Sequence, residues 1–166
     1  MTQTKRVVPG IRATVPLVEV SLRPAEVCSQ IVGRAPASMA EVAGLFRWLA
    51  EFPQETLLAV NLDARNCIRH FAPVAVGGRH GFAIGAVEVL RPAFLTNSSG
   101  LILIHNHPEG NPRPSQRDIA FTRQMRRACQ TMRLVLHEHL VIGYGGMFCR
   151  ICRQMDAGEM EILEAA

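Results

Sequence analysis

Apolar positions along the chain come in continuous runs and in helical stripes. Thr56 to Leu62 (TLLAVNL) and Leu101 to Ile104 (LILI) are nearly unbroken, which suits strands buried on both faces. Asp63-Ala64-Arg65-Asn66 is turn chemistry, so Cys67 to Val76 returns as an antiparallel partner until Gly77-Gly78 breaks it. Ile84 to Leu95 reads as a helix, and Pro92 inside it predicts a kink or an early end. Thr96 to Gly100 is a loop. Pro114 and Ser115 open a longer helix whose apolar stripe is Phe121, Met125, Ala128 and Met132. Leu134 to Ile142 is a further strand and Gly143-Tyr144-Gly145-Gly146 a turn. Met147 to Cys152 is a last strand, with a short helix in the tail after Arg153.

The N-terminal part is less patterned. Residues 1–14 have no apolar period and read as a loose arm, Val15 to Leu22 alternates as a strand, and Pro24 opens a short helix through Val32. Ser38 to Glu41 is a capping box, S-x-x-E, for a helix facing inward with Val42, Leu45, Phe46 and Leu49 and closed by Pro53. The division that follows is an arm over residues 1–37, a domain over 38–153 and an acidic tail over 154–166. The order β, α, α, β, β, α, β, α, β, β gives an α/β (α+β) class, a mixed sheet with helices against it.

Composition narrows the setting. With 166 residues, 48% hydrophobic and 19% charged, the chain suits one folded domain and not a disordered one. No apolar run reaches the ~18–20 residues that span a bilayer. The start MTQTKRVVPGIRATVP lacks a secretory core, so a cytoplasmic protein without membrane partners is expected. Five scattered cysteines favour reduced thiols, and Cys149-x-x-Cys152 lacks the second pair that a structural zinc site uses. The formal charge of +4 is almost all arginine, Lys5 being the only lysine. Such an excess reads as a solvated basic surface. Arg117, Arg123, Arg126, Arg127 and Arg133 lie largely off the apolar stripe of the long helix, which keeps DNA as a secondary candidate partner.

The chemistry concentrates between Leu101 and Met132. His105-Asn106-His107 puts two imidazoles on one side of an extended backbone, because side chains alternate at period 2. Ser115 and Asp118 follow at a helix start, so the spacing is H-x-H, seven residues, S, two residues, D. Each residue alone has an ordinary structural use, and Ser-x-x-Asp in particular is a capping arrangement. With six His, six Ser and three Asp in 166 residues, the joint pattern arises by chance on the order of once in ten thousand such chains. Two imidazoles and a carboxylate are the ligand types of a catalytic zinc with one open position. Such a metal brings a water's pKa toward ~7 and polarises a carbonyl. A neighbouring carboxylate then accepts the water's proton, and a hydroxyl donor can stabilise an oxyanion.

Glu55, His105-x-His107, Ser115 and Asp118 resemble the JAMM (MPN/JAB) metalloprotease motif. HNHPEGNPRPSQRDIAFT, with ETLLAVNLDARN before it and LHEHLVIGYGG after it, is similar to the RadC family of bacterial JAB domains, from about Ser38 to Phe148. The resemblance implies a JAB/MPN-like mixed sheet sandwiched by helices, layered as in cytidine deaminases. It implies a Zn2+ cofactor held by His105, His107 and Asp118, Glu55 as general base and Ser115 as oxyanion stabiliser, with Glu88 the second choice of base. The implied activity is that of a zinc metallopeptidase or isopeptidase hydrolysing amide bonds of a peptide or isopeptide-linked protein. The alternative is a DNA-repair-associated binding protein whose metal is vestigial or structural. The chain departs from the family in carrying Glu109 where a Ser is usual, Gly78 for a Thr, and Ala86-Val87 for Pro-Arg. Its first 37 residues also lack the helix-hairpin-helix region of longer members.

Overall fold

In a computed structural model, which describes residues 31–77, 84–158 and 160–165, the continuous apolar runs form the middle of a sheet. Strand β1 (Thr56–Leu62) is buried along its whole length, as is β3 (Gly100–Asn106). The hairpin partner β2 (Ile68–Val76) pairs antiparallel with β1 and carries Pro73. It lies at the sheet edge, where a strand loses least from the missing N–H. Strand β4 (Val135–Ile142) runs parallel to β3, and β5 (Met147–Arg150) and β6 (Ile162–Glu164) complete the mixed sheet in the order β2-β1-β3-β4-β5-β6. The strand proposed at Val15 to Leu22 and nearly all of the helix from Pro24 lie outside the described residues. Gly78 lies outside them too.

Period-two alternation sorts the core into two layers. Leu58, Val60, Ile102, Ile104, Leu140 and Ile142 face α1 (Met39–Leu45) and the 3-10 turn after it, meeting Val42, Phe46 and Leu49. On the other face, Leu57, Ala59, Leu101 and Leu103 meet Val89, Leu90 and Ala93 of α2 (Ala86–Leu95) and Met125 and Cys129 of α3 (Gln116–Thr131). Each fully buried Leu or Ile contributes about 1.5–3 kcal/mol, so both layers are needed. The row Leu101, Leu103 continues as His105, also fully buried. The apolar layer under α3 thus turns polar at the C-terminal end of β3.

Local sequence rules hold with some shifts. Ser38 Oγ accepts from the Glu41 N–H at 3.1 Å, but the Glu41 carboxylate reaches one residue further out, to the Ala37 N–H at 2.8 Å. Helix α1 then ends at Leu45 and Leu49 sits in the 3-10 turn Arg47–Glu51, so the expected single helix is two short pieces. Helix α2 does not end early, continuing three residues past Pro92 to Leu95. Met132 is the C-cap of α3 and half-exposed, so it does not belong to the buried stripe, which runs through Thr122, Met125 and Cys129. The expected strand Met147 to Cys152 stops at Arg150, where α4 (Ile151–Ala157) begins. Among the described residues no helix is long and apolar enough to cross a membrane.

Candidate metal centre

The last residues of β3 divide between the two faces of the sheet. Asn106 turns its fully buried side chain toward the segment before β1: its Oδ1 accepts from Thr56 N–H at 2.8 Å, and its Nδ2 donates to the carbonyls of Phe52 at 3.1 Å and Gln54 at 3.3 Å. That bracket fixes the backbone on either side of Glu55. His105 and His107, one residue to each side, turn the other way and bring their Nε2 atoms to 3.1 Å from each other. The alternation expected of H-x-H therefore positions both walls of one site.

Past His107 the chain folds into a loop braced by the turn after β4. His107 N–H donates to the Ile142 carbonyl at 3.1 Å, Tyr144 N–H to the Gly110 carbonyl at 3.0 Å, and the Tyr144 hydroxyl to the Pro108 carbonyl at 2.7 Å. Gly110 is required here: its φ is +84°, and a Cβ would fall 1.9 Å from the Tyr144 ring. The loop ends at Ser115, the N-cap of α3. Ser115 Oγ accepts from the Asp118 N–H at 3.2 Å, and the Asp118 carboxylate accepts from the Ser115 N–H at 2.6 Å. This reciprocal cap aims Asp118 back toward the imidazoles, where the helix N-terminus also favours its negative charge. Asp118 Oδ1 is 3.6 Å from His105 Nε2 and its Oδ2 is 3.5 Å from His107 Nε2.

Four groups thus converge. One ligand atom from each of Glu55, His105, His107 and Asp118 lies within 4.8 Å of the others. Glu55 Oε1 stands 4.0 Å from His105 Nε2 and its side chain is one-fifth exposed, unlike the sealed His105. The donor set of two imidazoles and carboxylates matches zinc. His107 Nδ1 lies 2.8 Å from the Asn111 carbonyl, which can only accept, so Nδ1 carries hydrogen and Nε2 of the neutral ring faces the site as a lone pair.

The electrostatics divide the two imidazoles, favouring the neutral form of His105 and the charged form of His107. Burial would raise the Asp118 carboxyl, but hydrogen bonding with His107, the adjacent His105 ring and the contacts with Ser115 outweigh it and hold the group far below its ordinary range. Burial and the neighbouring His139 press His105 well down, so it is a neutral donor. Burial also disfavours the His107 imidazolium, yet Asp118, the Asn111 carbonyl and Glu109 overcome this and raise it. Glu55 is raised by burial and then by Asp118.

The remaining candidates take other places. Glu88 is exposed and its carboxylate caps α2 through the Gly85 N–H at 3.1 Å, so among the described residues it stands outside the convergent cluster. Glu109 lies beside the loop, 3.8 Å from His107 Nδ1 and largely exposed. Arg126 is held bidentately by Asp156 at 2.7 and 3.1 Å, which withdraws it from the basic face that Arg123 and Arg127 leave exposed. Cys149 and Cys152 are free, buried thiols, one in β5 and one in α4. Two residues escaped the sequence reading, His139 and Thr122. Both are buried behind His105, with His139 Nε2 2.9 Å from His105 Nδ1 and His139 Nδ1 2.7 Å from Thr122 Oγ1. The signal was a second H-x-H, His137 to His139, on a strand with parallel register to β3.

The profile of the RadC-like JAB domain matches residues 35–154. A UPF0758 protein of Rhodobacter capsulatus is 42% identical over 97 residues, covering 58% of this chain and 45% of its own length. One from Roseiflexus castenholzii is 36% identical over 112 residues, covering 68% and 47%. One from Salinibacter ruber is 36% identical over 107 residues, covering 64% and 45%. The chain spans about half the length of these relatives.

Proposed function

The chain belongs to the family of RadC-like JAB domains, and from that premise we propose that it is a zinc-dependent hydrolase of amide bonds, acting on a peptide or an isopeptide-linked protein. The observation that carries the reading is the convergence of Glu55, His105, His107 and Asp118 on one point. His105, His107 and Asp118 hold the metal. When bound, zinc supplies a Lewis acid that polarises the scissile carbonyl and makes a water nucleophilic near neutral pH. Glu55 takes the proton of the attacking water and returns it to the leaving amine. Its partial exposure gives it access to substrate, and the Asn106 bracket fixes its backbone against the ligand strand.

Ser115 combines two uses that sequence alone sets in competition. The cap consumes a lone pair of Oγ, since the Asp118 N–H is the donor there. The hydroxyl hydrogen is shared with the Asp118 carboxylate in this structure, and we assign it to the oxyanion that forms as water adds to the carbonyl. The test is a cleavage screen of zinc-loaded protein against peptide and isopeptide-linked substrates, with Glu55→Gln as control. Cleavage by the wild type that disappears in the variant supports the assignment. Cleavage unchanged in Glu55→Gln removes Glu55 from the role of base.

A further inference from the structure

Behind the site, away from substrate, runs a closed line of hydrogen bonds whose direction can be fixed from its far end. The Asp118 backbone carbonyl lies 2.6 Å from Thr122 Oγ1 and can only accept, so the threonine's single hydroxyl hydrogen is committed to it. Thr122 Oγ1 must then accept from His139 Nδ1, 2.7 Å away. A neutral His139 with hydrogen on Nδ1 has a lone pair on Nε2, so His105 Nδ1, 2.9 Å away, must donate to it. His105 is left with a lone pair on Nε2, the atom that faces His107 Nε2 and Asp118. Thr122, His139 and His105 are all buried, so no solvent competes for these positions.

We infer that His139 and Thr122 are positioning residues that lock His105 into its Nδ1–H form and so hold its Nε2 lone pair on the metal position, and this rests on the metal-site reading above. The line starts at the backbone of one ligand, Asp118, and ends at the ring of another. It therefore ties α3 to β3 through β4, so that the register of the helix and the tautomer of the imidazole are set together. His107 reaches the same polarity through a separate anchor, the Asn111 carbonyl. When both rings are neutral, two lone pairs face each other at 3.1 Å beside a carboxylate, an arrangement that repels unless a cation, either a metal ion or the proton of a charged His107, lies between them. Metal ligands held by an outer hydrogen bond typically lose about 10–100-fold in affinity when that partner is removed.

The test uses the full chain with two independent readouts. Long-range 1H–15N NMR of the metal-free protein reports which nitrogen of His105 carries hydrogen, and competition with a chromophoric chelator gives the zinc affinity. Thr122→Val keeps the side-chain shape but removes the acceptor; Thr122→Ser keeps the hydroxyl. The expected result is Nδ1–H on His105 in the wild type and in Thr122→Ser. Thr122→Val should show a mixed or reversed tautomer and zinc binding weakened about 10–100-fold, with Thr122→Ser close to wild type. An Nε2–H tautomer in the wild type, or Thr122→Val with unchanged tautomer and affinity, overturns the inference. A wild type that binds no zinc overturns the metal-site reading instead, while the tautomer readout still decides the line of hydrogen bonds.

Discussion

The two walls of the site are built to different tolerances. On the β3 and α3 wall each metal-facing group is oriented from behind: His105 by His139, His107 by the Asn111 carbonyl, Asp118 by the Ser115 N–H. On the opposite wall Glu55 is held through the main chain, by the Asn106 bracket on its neighbours and by the Gly77 N–H, which donates to the Glu55 carbonyl at 2.7 Å. Its carboxylate is partly exposed and its nearest imidazole nitrogen is 4.0 Å away. Ligands gain from being immobile because a fixed donor set selects its metal and binds it without further ordering. A proton carrier must swing between water and leaving group, so a fixed main chain with a looser side chain suits it. On the proposed reading, the contrast fits metal binding at one wall and proton transfer at the other.

That division can be broken at several points. The largest expected effect is on turnover: Glu55→Gln should lower kcat by about 10²–10⁴ while metal content stays at the wild-type level. Metal analysis beside a kinetic assay checks both halves. Asn106→Ala removes one buried and two part-buried hydrogen bonds, at about 1 kcal/mol each plus the orphaned groups, for a loss of about 3–4 kcal/mol in chemical denaturation. Because the bracket serves the Glu55 wall, kcat should fall with it while zinc affinity changes little.

Acid should act on the ligand wall. Burial holds His139 neutral down to about 4 and, with the neighbouring His139, presses His105 in the same direction. Both rings are depressed relative to the ordinary imidazole value of about 6.5. As pH falls below that value the unfolded chain takes up protons that the folded one refuses, so stability is lost toward acid. The contribution of His139 alone is on the order of 3 kcal/mol by about pH 4. His107, raised in the folded chain, offsets part of this. Denaturation of metal-free protein at pH 7, 5.5 and 4 measures the slope, and a flat profile would show that these rings are not held neutral. The smallest effect belongs to Glu109→Ser, since an exposed charge 3.8 Å from His107 is screened by solvent. Zinc affinity should change by less than about fivefold in a chelator competition.

What could be read in advance followed from periodicity. The strands β1 and β3, the hairpin to β2, helices α2 and α3 and the presentation of Asp118 beside the H-x-H pair are all local patterns. The C-terminal part was illegible because its structure is dictated from elsewhere. Helix α4 has no side-chain cap of its own, and the buried Glu138 of β4 supplies the acceptor instead, taking the Cys152 N–H at 2.7 Å and Arg150 Nε at 3.0 Å. A chain that looked like one strand to Cys152 is therefore cut at Arg150. Strand β6 spans only Ile162–Glu164 and pairs with β5 at the sheet edge, too short to carry a pattern. His139 escaped for a related reason: its use depends on the parallel pairing of β3 and β4, which places it beside His105 across a gap of 34 residues.

The measurement that bears most directly on the central claim is the zinc content of the full chain by mass spectrometry, for the wild type, His107→Ala and Asp118→Ala purified alike. The expected result is about one zinc per wild-type chain and close to none in either variant, with the variants still folded. A wild type carrying no more zinc than the variants would contradict it.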